Sequence, residues 1–306
     1  MQARTDATPA PHRPALSVCV ATKAGVVWSG TDGYADVRAE LPLHADDRFC
    51  VGSITKTFVG VVVLQLVDEG KLDLAKTSAD YLSAIPIVVE VANTGSATLR
   101  HLLSHQSGVA TWEFEPSWIP AARGAAMVPD HVFDKAETLR YCTKDLLPPT
   151  GAPGEKYSYS NTNYTLLGLI IEAVTGNDCA AEIRSRILEP LNLRHTYLES
   201  FEDPATLTDP GPSGRERCSH YHYATPEFLS SAGRSDMFES STHRYLVDSS
   251  AANMSPEWVA GGMMMSARDL AIVRQPGCCR QLTAVSSLLP LTPRRLLGAA
   301  VHERAP

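Results

Sequence analysis

A nearly uninterrupted apolar run constrains this chain's fold more than any other feature. Residues 59–67 read Val-Gly-Val-Val-Val-Leu-Gln-Leu-Val. A helix that is apolar on nearly every face is buried in a protein interior. The sequence therefore predicts a buried central helix from about Ser53 to Glu69, ended by Gly70 as a C-cap glycine. The chain has 306 residues, 44% of them hydrophobic, which is enough for a sizeable core around such a helix.

Ser53 and Lys56 lie three residues apart at the start of this helix. Residues at that spacing share one helix face, with Cβ atoms about 5–6 Å apart. A serine hydroxyl is a weak nucleophile until a neighbouring base removes its proton. A lysine is such a base when burial lowers its pKa. The same spacing also occurs by chance on solvated helix turns, so the pair alone leaves both interpretations open.

A second polar pair, Tyr159 and Asn161, lies in the segment Lys-Tyr-Ser-Tyr-Ser-Asn-Thr-Asn-Tyr, residues 156–164. Residues two apart in an extended segment point to the same side. A phenol and an amide would then face one cleft, where the phenol relays protons and the amide holds a substrate carbonyl. The alternative is a polar loop in which Asn161 or Thr162 caps the next helix.

Taken together, Ser53-x-x-Lys56 and Tyr159-x-Asn161 resemble the penicillin-recognising serine hydrolases. The type most similar is that of the class C β-lactamases and D-alanyl-D-alanine carboxypeptidases, which also includes D-aminopeptidases and esterases. A related motif set is Ser-x-x-Lys, Ser-Asp-Asn and Lys-Thr-Gly; here a tyrosine stands where that set has its second serine. The resemblance extends from about Pro14 to about Val273. The segments that carry it are 49–56, 66–74, 99–108, 159–168 and 261–269.

This resemblance implies an α+β fold of the β-lactamase/transpeptidase type. In that fold an antiparallel sheet flanked by helices packs against an all-helical lobe, with the site between them. The implied reaction is acyl transfer to water through a covalent acyl-enzyme. Its substrate would be a D-amino-acid peptide such as D-alanyl-D-alanine, a β-lactam or a small ester. The implied catalytic residues are Ser53 as nucleophile, Lys56 as base and Tyr159 as proton relay, with Asn161 binding the substrate; no metal or cofactor is implied.

The family's third motif, Lys-Thr-Gly or His-Thr-Gly on a sheet strand, has no counterpart after Tyr159. In the family that strand supplies one of two backbone N–H donors to the oxyanion, and the nucleophile's own N–H supplies the other. Loss of one such donor typically costs about 10²–10³ in rate. We therefore expect the C-terminal strands to be missing. The alternative function is a catalytically impaired or non-catalytic relative that only binds ligands.

The expected organisation is a flexible tail at 1–14, a serine hydrolase domain at 15–273 and an atypical tail at 274–306. A helical lobe is expected within about 72–200. Smaller predictions are a hairpin of strands 16–21 and 26–30, a helix over 163–174 ended by Gly176, and a helix over 179–187 capped by Asp178. A final helix is predicted over 267–273, with Pro276 and Gly277 breaking it.

A helix is also predicted over 99–104, with Thr98 as its cap. His101 and His105 are four residues apart there, a spacing at which two histidines can bind a metal. No Glu completes a His-Glu-x-x-His pattern, so a structural role is the favoured interpretation.

Composition limits the partners. The net charge of −7 argues against a nucleic-acid or anionic-membrane partner, and no apolar run approaches the roughly 18 residues of a membrane helix. Seven cysteines at irregular spacing indicate neither a disulfide framework nor a zinc site. The polar N-terminus lacks the apolar centre of a secretory signal, which predicts a cytoplasmic protein as written, or a secreted or periplasmic one if an upstream segment is missing. The expected partner is a small-molecule or peptide substrate, and the oligomeric state is left open.

Overall fold

The computed structural model describes residues 15–203 except 38, 124, 125, 127, 129 and 130, together with 218, 221–223, 230, 246–248 and 253–273. The tails expected at 1–14 and 274–306 lie outside the described residues, as does the predicted break at Pro276 and Gly277.

The strands pair in antiparallel fashion throughout the described part of the chain. They are, in chain order, β1 (Leu16–Thr22), β2 (Gly25–Asp32), β3 (Tyr34–Asp36), β4 (Leu41–Pro42), β5 (Arg48–Cys50), β6 (Thr196–Leu198), β7 (Tyr221–Tyr223), β8 (Leu246–Asp248) and β9 (Met263–Ser266). Strands β1 and β2 form the predicted hairpin, with a register shift at Val20 and Ala21. The pairs β3–β4 and β7–β8 are two-stranded.

A three-stranded sheet in the order β5–β9–β6 joins three distant parts of the chain. Arg48 pairs with Ser266, and Thr196 pairs with Met265 on the other side of β9. One further backbone hydrogen bond, from Val51 N–H to the Met263 carbonyl over 3.0 Å, continues the pairing beyond β5. The turn that carries Ser53 is therefore fixed beside the first residue of β9.

Two helices are long, and the other described helices have four to seven residues. In chain order the helices are α1 (Thr55–Asp68), α2 (Ser78–Leu82), α3 (Pro86–Glu90), α4 (Leu99–Leu103), α5 (Trp118–Arg123), α6 (Asn161–Thr175), α7 (Cys179–Ile183), α8 (Trp258–Gly261) and α9 (Ala267–Val273). Short 3-10 turns lie at Gly52–Ile54, Trp112–Phe114, Glu137–Tyr141 and Ser255–Glu257, and a π-helical turn, Arg184–Leu188, continues α7.

Helix α1 is the predicted central helix. None of residues 52–67 is exposed, which confirms burial on all sides. The helix ends at Asp68, and Gly70 has a φ of +72°, a left-handed conformation that glycine adopts without a Cβ clash. Helix α1 packs against α6, α7 and α8. The side chains of α1 in the core are Phe58, Val59, Val62, Val63 and Leu66.

The second long helix, α6, begins two residues before the predicted start at 163 and ends at Thr175. Gly176 follows with a φ of +73°, as predicted for its C-cap. The Asp178 carboxylate accepts from the Ala180 N–H over 2.8 Å, so the predicted cap of α7 is confirmed. Helices α2 to α7 all lie within the stretch assigned to a helical lobe. Helix α9 has its predicted bounds and packs on β1 and β2.

The observed helix α4 is one residue shorter than the predicted helix over 99–104. Helix α4 ends at Leu103, and His105 lies beyond it with a φ of +55°. His101 caps the start of the helix, because its Nδ1 accepts from the Thr98 N–H over 3.3 Å. The two histidines therefore do not share one helix face, and the expected i, i+4 geometry is wrong.

Candidate active site

Ser53 lies in the 3-10 turn between β5 and α1. Gly52 has a φ of +52°, so the tight turn into the helix requires a left-handed residue. The Thr55 hydroxyl donates to the Gly52 carbonyl over 2.7 Å and accepts from the Met263 N–H over 3.1 Å. The turn is thus tied to both the helix and the sheet, which fixes the direction of the Ser53 side chain.

Lys56 lies one turn further along, and its side chain is buried, with a 6% exposed fraction. Its Nζ lies 3.0 Å from Ser53 Oγ. It also donates to Asn161 Oδ1 and to the Ala260 carbonyl, each over 2.6 Å. The neighbours of this amine thus include one hydroxyl, which donates or accepts, and two oxygens that only accept.

This set of oxygens suits both protonation states of the lysine. A neutral amine has two N–H groups, which the Asn161 amide and the Ala260 carbonyl accept, and its lone pair then faces the Ser53 hydroxyl. A charged ammonium donates to all three oxygens. Lys56 therefore has hydrogen-bond partners in either protonation state.

Tyr159 completes the cluster, with its hydroxyl 2.5 Å from Ser53 Oγ. When the Ser53 hydroxyl donates to Lys56, its oxygen is free to accept from the Tyr159 hydroxyl. The ring centroids of Tyr159 and Tyr164 lie 4.9 Å and 5.6 Å from Lys56 Nζ. Aromatic faces attract cations, so the charged form of Lys56 has stabilising neighbours. Burial raises the pKa of Tyr164, which therefore remains a neutral phenol beside the lysine.

The structure brings all four predicted residues together, but by a different local route from the expected extended segment. Ser160 is extended, with φ −150° and ψ 122°, and Asn161 is already the first residue of α6. Asn161 and Thr162, the cap residues of the alternative interpretation, do not cap this helix. The N-cap is Ser160, the Asn161 amide accepts from Lys56, and Thr162 Oγ1 accepts from the Trp112 N–H over 3.1 Å.

Two groups at this site were not singled out as site residues from the sequence. The Ala260 carbonyl is a backbone group, so its residue type carries no signal. His105 stacks on the Tyr159 ring, with centroids 4.4 Å apart and 27° between the planes. Burial, and secondarily the charge of Lys56, lowers the pKa of His105 to about 3. The segment 99–108 did mark this region through its family resemblance, although not this contact.

The Ala260 carbonyl is held by close packing between α8 and α6. Trp258 starts α8 with a φ of +36°, an unusual conformation for a residue with a side chain. Its ring is buried against Gly168 of α6. A Cβ at Gly168 would lie 2.7 Å from the Trp258 ring and 2.5 Å from Val259 Cγ2. Only glycine therefore allows α8 to approach this closely.

Gly168→Ala should destabilise the protein by about 1–3 kcal/mol, because an inserted methyl group overpacks the core. Helix propensity alone would favour alanine by about 1 kcal/mol. A decrease in the free energy of unfolding would therefore result from overpacking. The matched control is Gly60→Ala in α1, whose new Cβ would meet only Leu103 Cδ2, at 3.9 Å. We expect the control to be neutral or stabilising in urea unfolding. Equal stability of the two variants would contradict this account of α8.

Among the described residues, no group of three or more His, Cys, Asp or Glu side chains could hold a metal ion. No helix in the same part of the chain is both long and apolar enough to cross a membrane.

Comparison with known sequences identifies relatives of this arrangement. Protein flp of Staphylococcus aureus (strain MW2) is 29% identical over 187 residues, which are 60% of this chain and 35% of that protein. Esterase EstB of Burkholderia gladioli is 30% identical over 193 residues, which are 60% of this chain and 46% of the esterase. The chain thus spans less than half the length of either relative.

Solved structures show the same fold. A D-stereospecific amidohydrolase from Streptomyces sp. superposes with a TM-score of 0.65 at 25% identity, covering 90% of this chain and 74% of that one. The octameric penicillin-binding protein homologue from Pyrococcus abyssi has a TM-score of 0.62 at 27% identity, covering 85% and 51%. The predicted α+β fold of the β-lactamase/transpeptidase type is confirmed.

The sequence model of the Beta-lactamase family matches residues 2–304. This match extends past both limits expected from the motifs, 14 and 273, so the family resemblance does not stop at the last described helix. The chain belongs to the beta-lactamase family.

Proposed function

We propose that this protein is a serine hydrolase that cleaves an amide or an ester through a covalent acyl-enzyme. One observation carries the proposal. Ser53 Oγ lies between a buried amine, 3.0 Å away on Lys56, and a phenol, 2.5 Å away on Tyr159. An activated nucleophile needs a base within hydrogen-bond reach and a third group that orients the pair. Asn161 supplies that orientation, because its amide accepts from Lys56.

In the first step Lys56 Nζ takes the proton of the Ser53 hydroxyl. Ser53 Oγ attacks the carbonyl carbon, and a new C–O bond forms as the carbonyl π electrons move to oxygen. The resulting oxyanion is stabilised by the Ser53 backbone N–H, which lies in the 3-10 turn that leads into α1, where the first N–H groups of a helical segment lack intrahelical acceptors. Such donors typically account for about 10²–10³ in rate each.

In the second step the tetrahedral intermediate expels its leaving group. An amine or alkoxide leaves only with a proton, and the Tyr159 hydroxyl delivers it. The proton that Lys56 took from Ser53 is then returned to the Tyr159 oxygen, since the acylated Ser53 oxygen no longer carries a hydrogen. Lys56 is then neutral again. In deacylation a water molecule gives a proton to the Tyr159–Lys56 pair and attacks the acyl carbon. The ester bond to Ser53 breaks, the acid is released, and Ser53 Oγ regains its proton.

The class of substrate is proposed from the named relatives. The matched structure from Streptomyces is a D-stereospecific amidohydrolase, and the matched Burkholderia protein is an esterase. We infer a substrate with a small acyl group, either a D-amino-acid amide or peptide or a simple ester. A β-lactam is the third member of the same chemical class, because its strained amide also yields an acyl-enzyme.

A matched panel tests this proposal. It contains the amides of D- and L-phenylalanine, a D-alanyl-D-alanine peptide, a nitrophenyl ester and a chromogenic cephalosporin. We expect turnover of the ester together with a preference for the D over the L amide. Turnover of none of them by folded protein, with no acylation of Ser53, would contradict the proposal.

The second candidate function is ligand binding without turnover. It is favoured by the absence of a Lys-Thr-Gly or His-Thr-Gly motif after Tyr159. In this case a penicillin or a D-amide would stabilise the protein against thermal unfolding without being consumed. A slow acyl-enzyme that accumulates stoichiometrically would instead indicate a hydrolase impaired in deacylation.

A further inference from the structure

We propose that His105 is the positioning residue for Tyr159, an inference that rests on the proposed hydrolase function. His105 would act through Tyr159 and not on the substrate. Its contribution would be to hold the phenol at hydrogen-bond distance from Ser53 Oγ.

The backbone on both sides of Tyr159 is bound to His105. The Ser158 N–H donates to the His105 carbonyl over 2.8 Å. The Ser160 N–H donates to His105 Nδ1 over 3.1 Å. One residue thus fixes the chain immediately before and immediately after the tyrosine, which limits the rotation of the peptide units that aim its side chain.

The imidazole also contacts the tyrosine ring directly. The two rings stack with centroids 4.4 Å apart and 27° between their planes. The Tyr164 ring also packs against His105, with centroids 5.3 Å apart. His105 is buried, so the Tyr159 ring has a rigid surface behind it.

A hydrogen-bond chain determines which nitrogen of His105 carries the proton. The Val109 N–H donates to Ser107 Oγ over 3.0 Å, so the Ser107 hydroxyl hydrogen is available to donate to Asn163 Oδ1 over 2.7 Å. The Asn163 amide NH₂ then faces His105 Nδ1 at 3.3 Å. Nδ1 receives two donors and must accept, so the proton is on Nε2.

A protonated imidazole would break this arrangement, because Nδ1–H would oppose the Ser160 N–H. Burial and the nearby Lys56 charge lower the His105 pKa to about 3. Since the folded pKa lies below the ordinary value, the neutral ring persists as pH falls until about 3. The support for Tyr159 therefore stays intact across the working range of a hydrolase.

His105 adopts this place at a conformational cost. Its φ of +55° lies in the left-handed region, which is uncommon for residues other than glycine, although Asn, Asp and His are enriched there. That conformation follows directly on the end of α4 and turns the imidazole toward residues 158–160. A residue in such a strained conformation persists where the surrounding contacts hold it there.

The test is a double-mutant cycle of His105→Asn with Tyr159→Phe, assayed on an amide and on a nitrophenyl ester. Asn tolerates a positive φ and has an oxygen that can accept from Ser160, but it lacks the ring. We expect His105→Asn to lower amide turnover about 10–100-fold, as small misplacements at an active site do. The ester should lose less. In the Tyr159→Phe background the same change should cost little more, because the relay is already absent.

The matched control is His101→Asn, a histidine that caps α4 at Thr98. This variant should lose stability, but its turnover of the amide should not fall more than its turnover of the ester. Equal losses on both substrates for His105→Asn, or full additivity with Tyr159→Phe, would overturn the positioning role and leave a purely structural one.

A second readout does not need turnover. The ring resonance of Tyr159 is assigned in isotope-labelled protein by its loss in Tyr159→Phe. Stacking predicts that this resonance moves in His105→Asn but not in His101→Asn. An unmoved resonance would overturn the positioning proposal. An inactive wild type in which the resonance does move would instead overturn the proposed function while the placement of Tyr159 by His105 stands.

Discussion

Replacing Lys56 with methionine should lower the rate of Ser53 acylation by about 10²–10⁴-fold, the usual contribution of a positioned general base. Methionine keeps the length and the apolar stem of the side chain but has no lone pair basic enough to take the hydroxyl proton. The reason for expecting a large effect is geometric, because Lys56 Nζ lies 3.0 Å from Ser53 Oγ. The measurement is the pre-steady-state rate of acylation by a nitrophenyl ester.

This substitution also removes the donor for two buried oxygens, Asn161 Oδ1 and the Ala260 carbonyl. An unsatisfied buried group typically costs about 1–3 kcal/mol, so urea unfolding must accompany the kinetics. Lys71→Met is the control, since that lysine is exposed beyond the other end of α1. A Lys56→Met protein that is folded and acylates at the wild-type rate would exclude Lys56 as the base.

Tyr159→Phe should separate substrates by their leaving groups. Amide turnover should fall about 10²–10⁴-fold, because an amine leaves only after it receives a proton. A nitrophenolate is a stable anion and needs no proton, so the ester should be far less affected. The phenol lies 2.5 Å from Ser53 Oγ, within reach of the leaving group of any acyl attached there. The measurement is kcat/KM on both substrates.

Tyr157→Phe provides the comparison, because it deletes a phenol from an exposed tyrosine two residues away. Wild-type kinetics are expected for this variant. If Tyr159→Phe reduces amide and ester turnover equally, the phenol orients the serine without relaying the proton to the leaving group.

The parts of the structure that the sequence predicted well are those with local causes. Helix α1 follows from an apolar run and a glycine stop, and the β1–β2 hairpin from two β-rich segments around a short turn. The Ser53–Lys56 pair also needs only helix geometry, since both residues lie on one turn. Their joint placement with Tyr159 was expected from family resemblance and not from spacing, because more than a hundred residues separate them.

The parts that were missed depend on tertiary contacts. His105 was expected on the same helix face as His101, but α4 stops at Leu103 and the chain turns into a positive φ. The residue with the positive φ is a histidine, and the nearest glycine, Gly108, lies three positions later. The Ala260 carbonyl depends on α8 packing against Gly168, a contact between segments distant in sequence. Backbone acceptors and stacked rings of this kind appear only once the core is assembled.

The most direct test of the central claim is the intact mass of the protein after incubation with a fluorophosphonate or a penicillin, with Ser53→Ala as the control. We predict one covalent adduct per chain, located on the peptide that contains Ser53 and absent from the Ser53→Ala variant. A folded wild-type protein that forms no adduct, or an adduct that persists in Ser53→Ala, would contradict the claim that Ser53 is the activated nucleophile.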